Sequence, residues 1–305
     1  MTITISDPYT ELRGRLVSDG VLVPMGVEGL YGKGRSFVEV FDGLDHFLTC
    51  AGADQAAELF RFPPLIPRSS LVRTDYLRSF PDLIGSVHSF RGDDAAHADL
   101  LQIVEQGGDW ASALTGTDAV LLPAACYPLY PMVSGALPEG GRVFDVLGTC
   151  FRHEPSADPA RMQVFHQREY VHIGSPDSAL AFRDHWLERA LDLVQSLGIE
   201  ASSVVANDPF FGRAGRMLAA NQRAVALKFE VVATVADAGA PTAIASCNYH
   251  QGHLTTAFGV TEHDGAMAHS ACVGFGMERI TLALFAAHGT TTGRWPADVR
   301  RRLWP

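Results

Sequence analysis

The stretch from Cys150 to Gly174 constrains this 305-residue chain most, because its pattern predicts two strands joined by a polar loop. Arg152 and Glu154 close the first strand, Arg161 lies in the proline-containing loop, and Phe165 begins the return strand. Arginine can grip a phosphate through two parallel hydrogen bonds. A carboxylate can accept a hydrogen bond from the exocyclic amine of a base, and phenylalanine can stack on a flat ring. The sequence therefore predicts a β-hairpin that serves as a nucleotide platform.

Apolar periodicity and turn residues predict the rest of the fold. Helices are predicted over 8–22, 35–51, 94–106, 177–198 and 215–227, and strands over 119–127, 201–206, 229–235 and 243–249. The proline-rich piece over 58–68 suits a sheet edge, and 269–285 has the pattern of a strand, a glycine break and a helix. Because no repeat or long linker divides the chain, we expect a single α+β domain over residues 1–305, with a largely antiparallel sheet flanked by helices.

Composition and charge exclude several classes of protein. The chain has 47% hydrophobic residues, as globular proteins do, and its formal net charge of −10 disfavours a large nucleic-acid-binding surface. No apolar run reaches the ~18 residues of a membrane span and the N-terminus lacks a signal-peptide pattern, so we expect a cytoplasmic protein. Five scattered cysteines argue against a disulfide framework and leave buried thiols and metal ligands as the alternatives.

A second signal is the segment GFGMER, from Gly274 to Arg279. Glycines allow the backbone to approach a ligand closely where a strand becomes a helix, and Arg279 is predicted in the first turn of that helix. Taken alone the segment is a modest signal, because glycine-rich junctions also serve tight packing. Its combination with the arginines and Phe165 of the hairpin makes a nucleotide site the better interpretation.

These two segments resemble a known family. FRHE…RMQVFHQREYV resembles motif 2 of the class II aminoacyl-tRNA synthetases, and GFGMERITLALF resembles motif 3. AACYPLYP, NDPFFGR and NYHQ are similar to segments of the amino acid:[carrier protein] ligases, which are shortened homologues of the zinc-dependent, methanogenic type of seryl-tRNA synthetase. The resemblance runs over nearly the whole chain and implies a class II synthetase-like catalytic domain.

The resemblance also implies an ATP site. Arg152 would hold the α-phosphate and the adenylate, Glu154 would contact the adenine amine, and Phe165 would stack on adenine. Arg279 would lie on the opposite side of the base near the γ-phosphate. The remaining implied ATP-binding residues are Arg161, toward the outer phosphates, Met162, Lys228 and Ser246. Mg²⁺ would bridge the phosphates. One departure is Ala243, which stands where many seryl-tRNA synthetases carry a glutamate that helps to hold Mg²⁺.

A zinc site is implied at Cys126, Glu169 and Cys272, each predicted at the end or in the middle of a strand. Two thiolates and a carboxylate leave one tetrahedral position, which could take the unprotonated α-amine of an amino acid. Spacing alone would not reveal this site, since isolated buried cysteines are usually inert. The other three cysteines are interpreted as structural, and His250 and His253 as hydrogen-bonded residues rather than ligands.

The acceptor of the activated amino acid is expected to be the phosphopantetheine thiol of a holo-carrier protein. No long N-terminal tRNA-binding arm precedes the predicted core, and the acidic balance makes tRNA an unlikely partner. A helical insertion around 207–228, with Arg213, Arg216 and Arg223, is a candidate docking element for an acidic carrier protein. A solvated helix face is the equally acceptable alternative. The resemblance of residues 35–67 to motif 1 implies a homodimer.

The sequence thus predicts an ATP-dependent, AMP-forming ligase. It would adenylate a small amino acid, with glycine or alanine as the expected substrate, and transfer it to a carrier protein. Two other functions remain open from the sequence: a seryl-like synthetase that charges tRNA, and a catalytically silent paralogue that acts as a binding subunit.

Overall fold

A computed structural model describes residues 7–208, 220, 222–223 and 225–305. The helices are α1 (Pro8–Ser18), α2 (Arg35–Ala51), α3 (Arg68–Arg73), α4 (Tyr76–Ser79), α5 (Asp94–Glu105), α6 (Leu129–Met132), α7 (Pro176–Ser196), α8 (His253–Phe258), α9 (Met277–His288) and α10 (Ala297–Leu303). The strands are β1 (Leu22–Pro24), β2 (Tyr31–Lys33), β3 (Glu58–Phe60), β4 (Leu65–Pro67), β5 (Ser86–Ser89), β6 (Thr115–Leu121), β7 (Gly135–Ala136), β8 (Arg142–Phe151), β9 (Val164–Gly174), β10 (Ala201–Ala206), β11 (Lys228–Ala233), β12 (Thr242–Gln251), β13 (Val260–Thr261) and β14 (His269–Gly276).

The central sheet of the described residues has the strand order β10-β11-β12-β14-β9-β8-β3. All of its neighbouring strands are antiparallel except β3, which pairs in parallel with β8 at the edge. Strands β4, β6 and β5 form a separate three-stranded sheet, and β1–β2 and β13–β7 are two-stranded ribbons. The α+β prediction with a largely antiparallel sheet is confirmed.

Helices α2, α7 and α9 cover one face of the central sheet. On α2, the buried residues Phe37, Val40, Leu44 and Leu48 recur every three or four positions and so form a single apolar stripe. Helix α7 begins at Pro176 after Ser175, whose side chain accepts a hydrogen bond from a backbone N–H of the first turn. Helices α2, α7 and α9 contribute to one large hydrophobic core. This core includes the side chains of β9, β12 and β14 that face the helices.

Most predicted elements are found close to their predicted positions. The helix over 35–51 and the strand over 201–206 have the predicted bounds, and the hairpin from Cys150 to Gly174 is formed by β8 and β9. The prediction for 119–127 was wrong: the strand ends at Leu121 and Cys126 lies in the turn that follows. The Gly-rich segment before α2 contains the ribbon β1–β2.

Two further sequence predictions can be placed against the fold. No helix within the described residues has both the length and the apolar character needed to cross a membrane. Of the predicted docking arginines, Arg223 is exposed in a short helical piece, whereas Arg213 and Arg216 lie outside the described residues.

Candidate active site

The register of the central sheet places the predicted site residues on one face. Glu169 of β9 lies opposite Gly274 of β14, which in turn lies opposite Ser246 of β12. Because side chains alternate along a strand, Phe165 and Cys272 point to the same side as their neighbours Glu169 and Gly274. This side, opposite the one covered by α2, α7 and α9, is called the site face below.

Arg152 projects from the end of β8, and its guanidinium group can bind a ligand. Its Nε donates to the carbonyl oxygen of Pro123 at 3.1 Å, and the guanidinium carbon lies 5.4 Å from the centre of the Phe165 ring. Within the part of the chain that the structure describes, its two terminal nitrogens donate no hydrogen bond. Because Arg152 is only half-buried, these nitrogens are accessible and can donate to an anionic ligand.

Arg279 lies near Arg152 and is held by two backbone carbonyls. Its Nε donates to Ala160 at 3.0 Å and its Nη1 to Ala243 at 3.0 Å. Burial lowers the pKa of Arg279, and the positive charges of Arg152 and Arg161 lower it further. Three guanidinium groups therefore converge, and such a cluster favours the binding of a polyanion.

The loop between β8 and β9 pairs two of the predicted residues with each other. Arg161 donates from Nη1 to Glu154 Oε2 at 3.1 Å and lies 3.8 Å from Asp158. The Arg161 side chain is more than half exposed, so the pair contributes little to stability and can open for a ligand. Met162, by contrast, is buried in the large hydrophobic core.

Lys228 lies at the start of β11 in a group of charges beside Arg152. Its Nζ donates to Asp208 Oδ1 at 2.5 Å and is 3.1 Å from Glu230 Oε1. Burial alone would raise the pKa of Asp208, but Lys228, Gln222 and Arg152 together hold it below its ordinary value. Lys228 thus lies at the edge of the arginine cluster, and its charge is paired with those of Asp208 and Glu230.

The predicted zinc ligands come together beneath the nucleotide residues. Cys126, Glu169 and Cys272 are each at most 4% exposed. The Cys126 backbone N–H donates to Glu169 Oε1 at 3.3 Å, and both thiols lie close enough to the Glu169 carboxylate to influence its pKa. Cys126 is supplied by the turn after β6, whereas its sequence pattern had predicted a strand position.

Electrostatics around these three acids favour a cation. Burial raises the pKa of both thiols well above their usual range, and the neighbouring Glu169 raises it further. Burial also raises the pKa of Glu169, and the two neighbouring thiols offset this only in part. A divalent cation would remove all of these penalties, so the chemistry of the donor set fits a metal. Across the described ranges, however, no three His, Cys, Asp or Glu side chains form a preformed metal-binding group.

Two neighbours of Cys272 were not predicted as site residues. Asn248 Nδ2 lies 3.6 Å from the Cys272 sulfur and 3.2 Å from Ser246 Oγ, and His250 Nε2 lies 3.7 Å from the same sulfur. Burial lowers the pKa of His250 to about 4, so this ring is neutral at physiological pH. The alternation of Ser246, Asn248 and His250 along one strand is the signal that could have grouped them with Cys272.

Another unpredicted group connects the two nucleotide segments from the covered side of the sheet. Glu278, the residue before Arg279, accepts hydrogen bonds from the backbone N–H and the ring Nδ1 of His166, both at 2.7 Å. Lys33 of β2 also donates to Glu278. Burial would raise the pKa of Glu278, but His166 and Lys33 outweigh it and hold the pKa below its ordinary value. His166 therefore lies on the helix-covered side and does not line the site.

Comparison with known proteins agrees with this arrangement. No protein-family model matches the chain. Two proteins of Bradyrhizobium diazoefficiens, named amino acid--[acyl-carrier-protein] ligase 1 and 2, are each 40% identical to it, over 97% and 98% of this chain and 90% and 88% of their own lengths. A type-2 serine--tRNA ligase of Methanopyrus kandleri is 27% identical over 79% of this chain, which spans about half the length of that relative.

Solved structures show the same fold. Seryl-tRNA synthetase of M. kandleri, crystallised in complex with A. aeolicus tRNASec, superimposes with a TM-score of 0.81 at 23% identity, over 98% of this chain and 60% of that one. Seryl-tRNA synthetase of Pyrococcus horikoshii, complexed with ATP, gives a TM-score of 0.67 at 14% identity, over 91% of this chain and 58% of that one. The fold is that of the class II aminoacyl-tRNA synthetase catalytic domains. The 40% identity to the two B. diazoefficiens proteins over nearly the whole chain shows that this chain belongs to the amino acid--[acyl-carrier-protein] ligases.

Proposed function

We propose that this protein uses ATP to adenylate a small amino acid, glycine or alanine, and transfers it to the phosphopantetheine thiol of a carrier protein. The observation that carries the proposal is the Arg152 guanidinium group, whose two terminal nitrogens donate no hydrogen bond within the described residues. It lies among the charges of Arg161 and Arg279 and on the same sheet face as the buried Cys126–Glu169–Cys272 group. The proposed triphosphate site would thus adjoin a group that is suited to an amine.

The nucleotide would be bound by residues of the hairpin and of α9. Arg152 would hold the α-phosphate, and Arg161 would leave Glu154 to reach the outer phosphates, which frees that carboxylate for the adenine amine. Phe165 would stack on the base, with Arg279 on its other side. Lys228 and Ser246 border this site, whereas the buried Met162 would shape it from below. Mg²⁺ would accompany ATP and offset the charge of the phosphates.

The proposed chemistry has two steps. First, a carboxylate oxygen of the amino acid attacks the α-phosphorus, the bond from this phosphorus to the bridging oxygen breaks, and pyrophosphate leaves. Second, the carrier thiol, which loses its proton, attacks the carbonyl carbon, and AMP leaves as a thioester forms. Because both the carboxylate and the α-phosphate are negative, the arginines contribute by orienting them and by offsetting charge.

Zinc is the proposed metal, held by Cys126, Glu169 and Cys272. When bound, it would supply a Lewis-acidic position for the unprotonated α-amine of the amino acid. Asn248 and His250, which contact the Cys272 sulfur, would keep that ligand oriented. The Cys126 backbone N–H would orient the Glu169 carboxylate in the same way. Placing the amine here would direct the carboxyl group of a short amino acid toward Arg152.

A carrier protein is the proposed acceptor because the two relatives with 40% identity are named for one. Carrier proteins are usually acidic, so docking requires a local basic surface on a chain whose net charge is −10. The segment around 207–228 is the proposed surface, with the exposed Arg223 as its described member and Arg213 and Arg216 as the others.

ATP–pyrophosphate exchange with a panel of amino acids tests the first step. We expect exchange with glycine or alanine, and its loss after treatment with a zinc chelator. Arg152→Ala should reduce the exchange rate by about 10²–10³-fold, as expected when a donor to developing charge is removed. Arg301→Ala, at an exposed position of α10, is the matched control and should leave the rate unchanged.

Mass spectrometry of a holo-carrier protein tests the second step. With ATP and the preferred amino acid, the holo form should gain the mass of one aminoacyl group, and the apo form, which lacks the thiol, should gain none. Efficient charging of total tRNA without any carrier thioester would identify a tRNA synthetase instead. A complete absence of exchange with every amino acid would favour the silent paralogue.

A further inference from the structure

Tyr76, the first residue of α4, has a buried hydroxyl group that lacks a partner among the described residues. The residue is 4% exposed, and within the described ranges its Oη makes no hydrogen bond. Leaving a buried polar group unpaired is unfavourable, so such atoms are rare unless a ligand uses them. The ring itself is well packed, with centroid distances of 5.1 Å to Phe80 and 6.1 Å to Tyr127.

Tyr76 lies close enough to Arg152 for their charges to interact, and two hydrogen bonds connect the segments around Tyr76 to the end of β8. The segment after α4 is joined to the end of β8 by a bond from His153 N–H to the carbonyl of Leu83, at 3.0 Å. The turn that carries Tyr127 is joined to it through Arg152 Nε and the carbonyl of Pro123. Both aromatic neighbours of Tyr76 are thus fixed relative to Arg152.

The ionisation state of Tyr76 suits a hydrogen-bond donor. Burial raises the pKa of the hydroxyl to about 12, although the nearby positive charge of Arg152 acts in the opposite direction. At neutral pH the group is therefore an O–H, which can donate to an anionic oxygen. The Arg152 terminal nitrogens, also without a hydrogen bond among the described residues, would donate to the same anion.

We infer that Tyr76 binds the α-phosphate of ATP and of the aminoacyl adenylate, donating from its hydroxyl to a phosphoryl oxygen held by Arg152. This inference rests on the proposed function, since it assigns an additional binding residue to the same nucleotide site. The hydroxyl would be satisfied only when the nucleotide is bound.

Replacing Tyr76 by phenylalanine separates this role from a structural one, because it removes the hydroxyl and keeps the ring. If the hydroxyl has no partner in the free protein, Tyr76→Phe should have an unchanged or higher melting temperature. Its affinity for AMP, measured by calorimetry, should fall about tenfold, the loss expected for a hydrogen bond to a charged group. Its affinity for adenosine, which lacks the phosphate, should not change.

Tyr170→Phe is the matched control. The Tyr170 hydroxyl is buried on the helix-covered side and donates to the carbonyl of Leu48 at 2.9 Å. Its removal should lower the melting temperature and leave AMP affinity unchanged. The reversed pattern of stability and affinity in the two variants would support the inference.

Three results would overturn the inference while the proposed function stands. They are wild-type AMP affinity in Tyr76→Phe, an equal loss of affinity for AMP and adenosine, and a melting temperature clearly below that of the wild type. Failure of the wild-type protein to bind AMP would overturn the proposed function together with the inference.

Discussion

Gly274 lies on the site face where Glu169 and Ser246 meet. A methyl group on its Cα would stand 3.6 Å from Glu169 Cγ and 3.7 Å from Ser246 Oγ. These are ordinary van der Waals distances, so the free protein can accept alanine here. The added methyl group would nevertheless fill the space between the metal-binding carboxylate and the nucleotide residues that we propose. The packing of the chain therefore does not require glycine at this position, whereas the proposed ligand would.

Gly274→Ala should consequently fold normally and lose activity. We expect a melting temperature close to that of the wild type and a fall in pyrophosphate exchange of about 10²-fold, since a displacement of about 1 Å can cost this much. Thermal unfolding and exchange kinetics measured together check both parts. Gly34→Ala is the contrasting variant, because its methyl group would collide with the carbonyl oxygen of Gly20 and should destabilise the fold. A large loss of stability in Gly274→Ala would contradict the explanation.

At the scale of elements, the Glu278 carboxylate joins β2, β9 and the first turn of α9. It is 2% exposed, pairs with Lys33, and accepts from both the backbone and the ring of His166. His166 follows Phe165 and Arg279 follows Glu278, so this one carboxylate fixes the distance between the two nucleotide segments. Removing its charge would leave Lys33 without its partner on the covered side of the sheet.

Glu278→Gln should therefore lower the free energy of unfolding. It should also make that free energy less dependent on pH in the acidic range. Loss of one partner of a buried ion pair typically costs about 3–5 kcal/mol. The folded-state pKa of Glu278 is lowered, so in the wild type its contribution is present above the ordinary glutamate pKa and is lost as pH falls through the lowered value. Denaturant unfolding between neutral and acidic pH should show a smaller acid-induced loss in Glu278→Gln. Equal pH dependence in both proteins would contradict this role.

The sequence was sufficient to predict the elements that have a strong apolar pattern. It was insufficient for strands whose two faces are both buried. Helix α2 has the predicted bounds because its apolar residues follow one helical stripe. From Arg168 to Gly174 every residue of β9 is buried, so no polar alternation marks which side each residue faces. The turn position of Cys126 was missed because an apolar run continues past the end of β6.

At the scale of the whole molecule, the site depends on strand order. Cys272 and Glu169 become neighbours because β14 is inserted between β12 and β9, a pairing that no local pattern encodes. Family resemblance supplied this grouping at the sequence level, whereas spacing did not. The same strand order leaves β3 and β10 at the two edges of the central sheet. Exposed strand edges favour association with another chain, so each of the two edge strands is a candidate contact with a second copy.

A homodimer through residues 35–67 remains a prediction, and it can be tested at these edges. Leu59 of β3 lies in this region and is 63% exposed, which suits an apolar contact with a second copy. Light scattering should give a mass of about twice 32.9 kDa for the wild type, and Leu59→Glu should shift it toward the monomer because a charge would be buried in the interface. Val204→Glu, at a position that is 41% exposed on the opposite edge strand β10, should leave the mass unchanged. A monomeric wild type, or a dimer disrupted only by Val204→Glu, would place the interface elsewhere or exclude it.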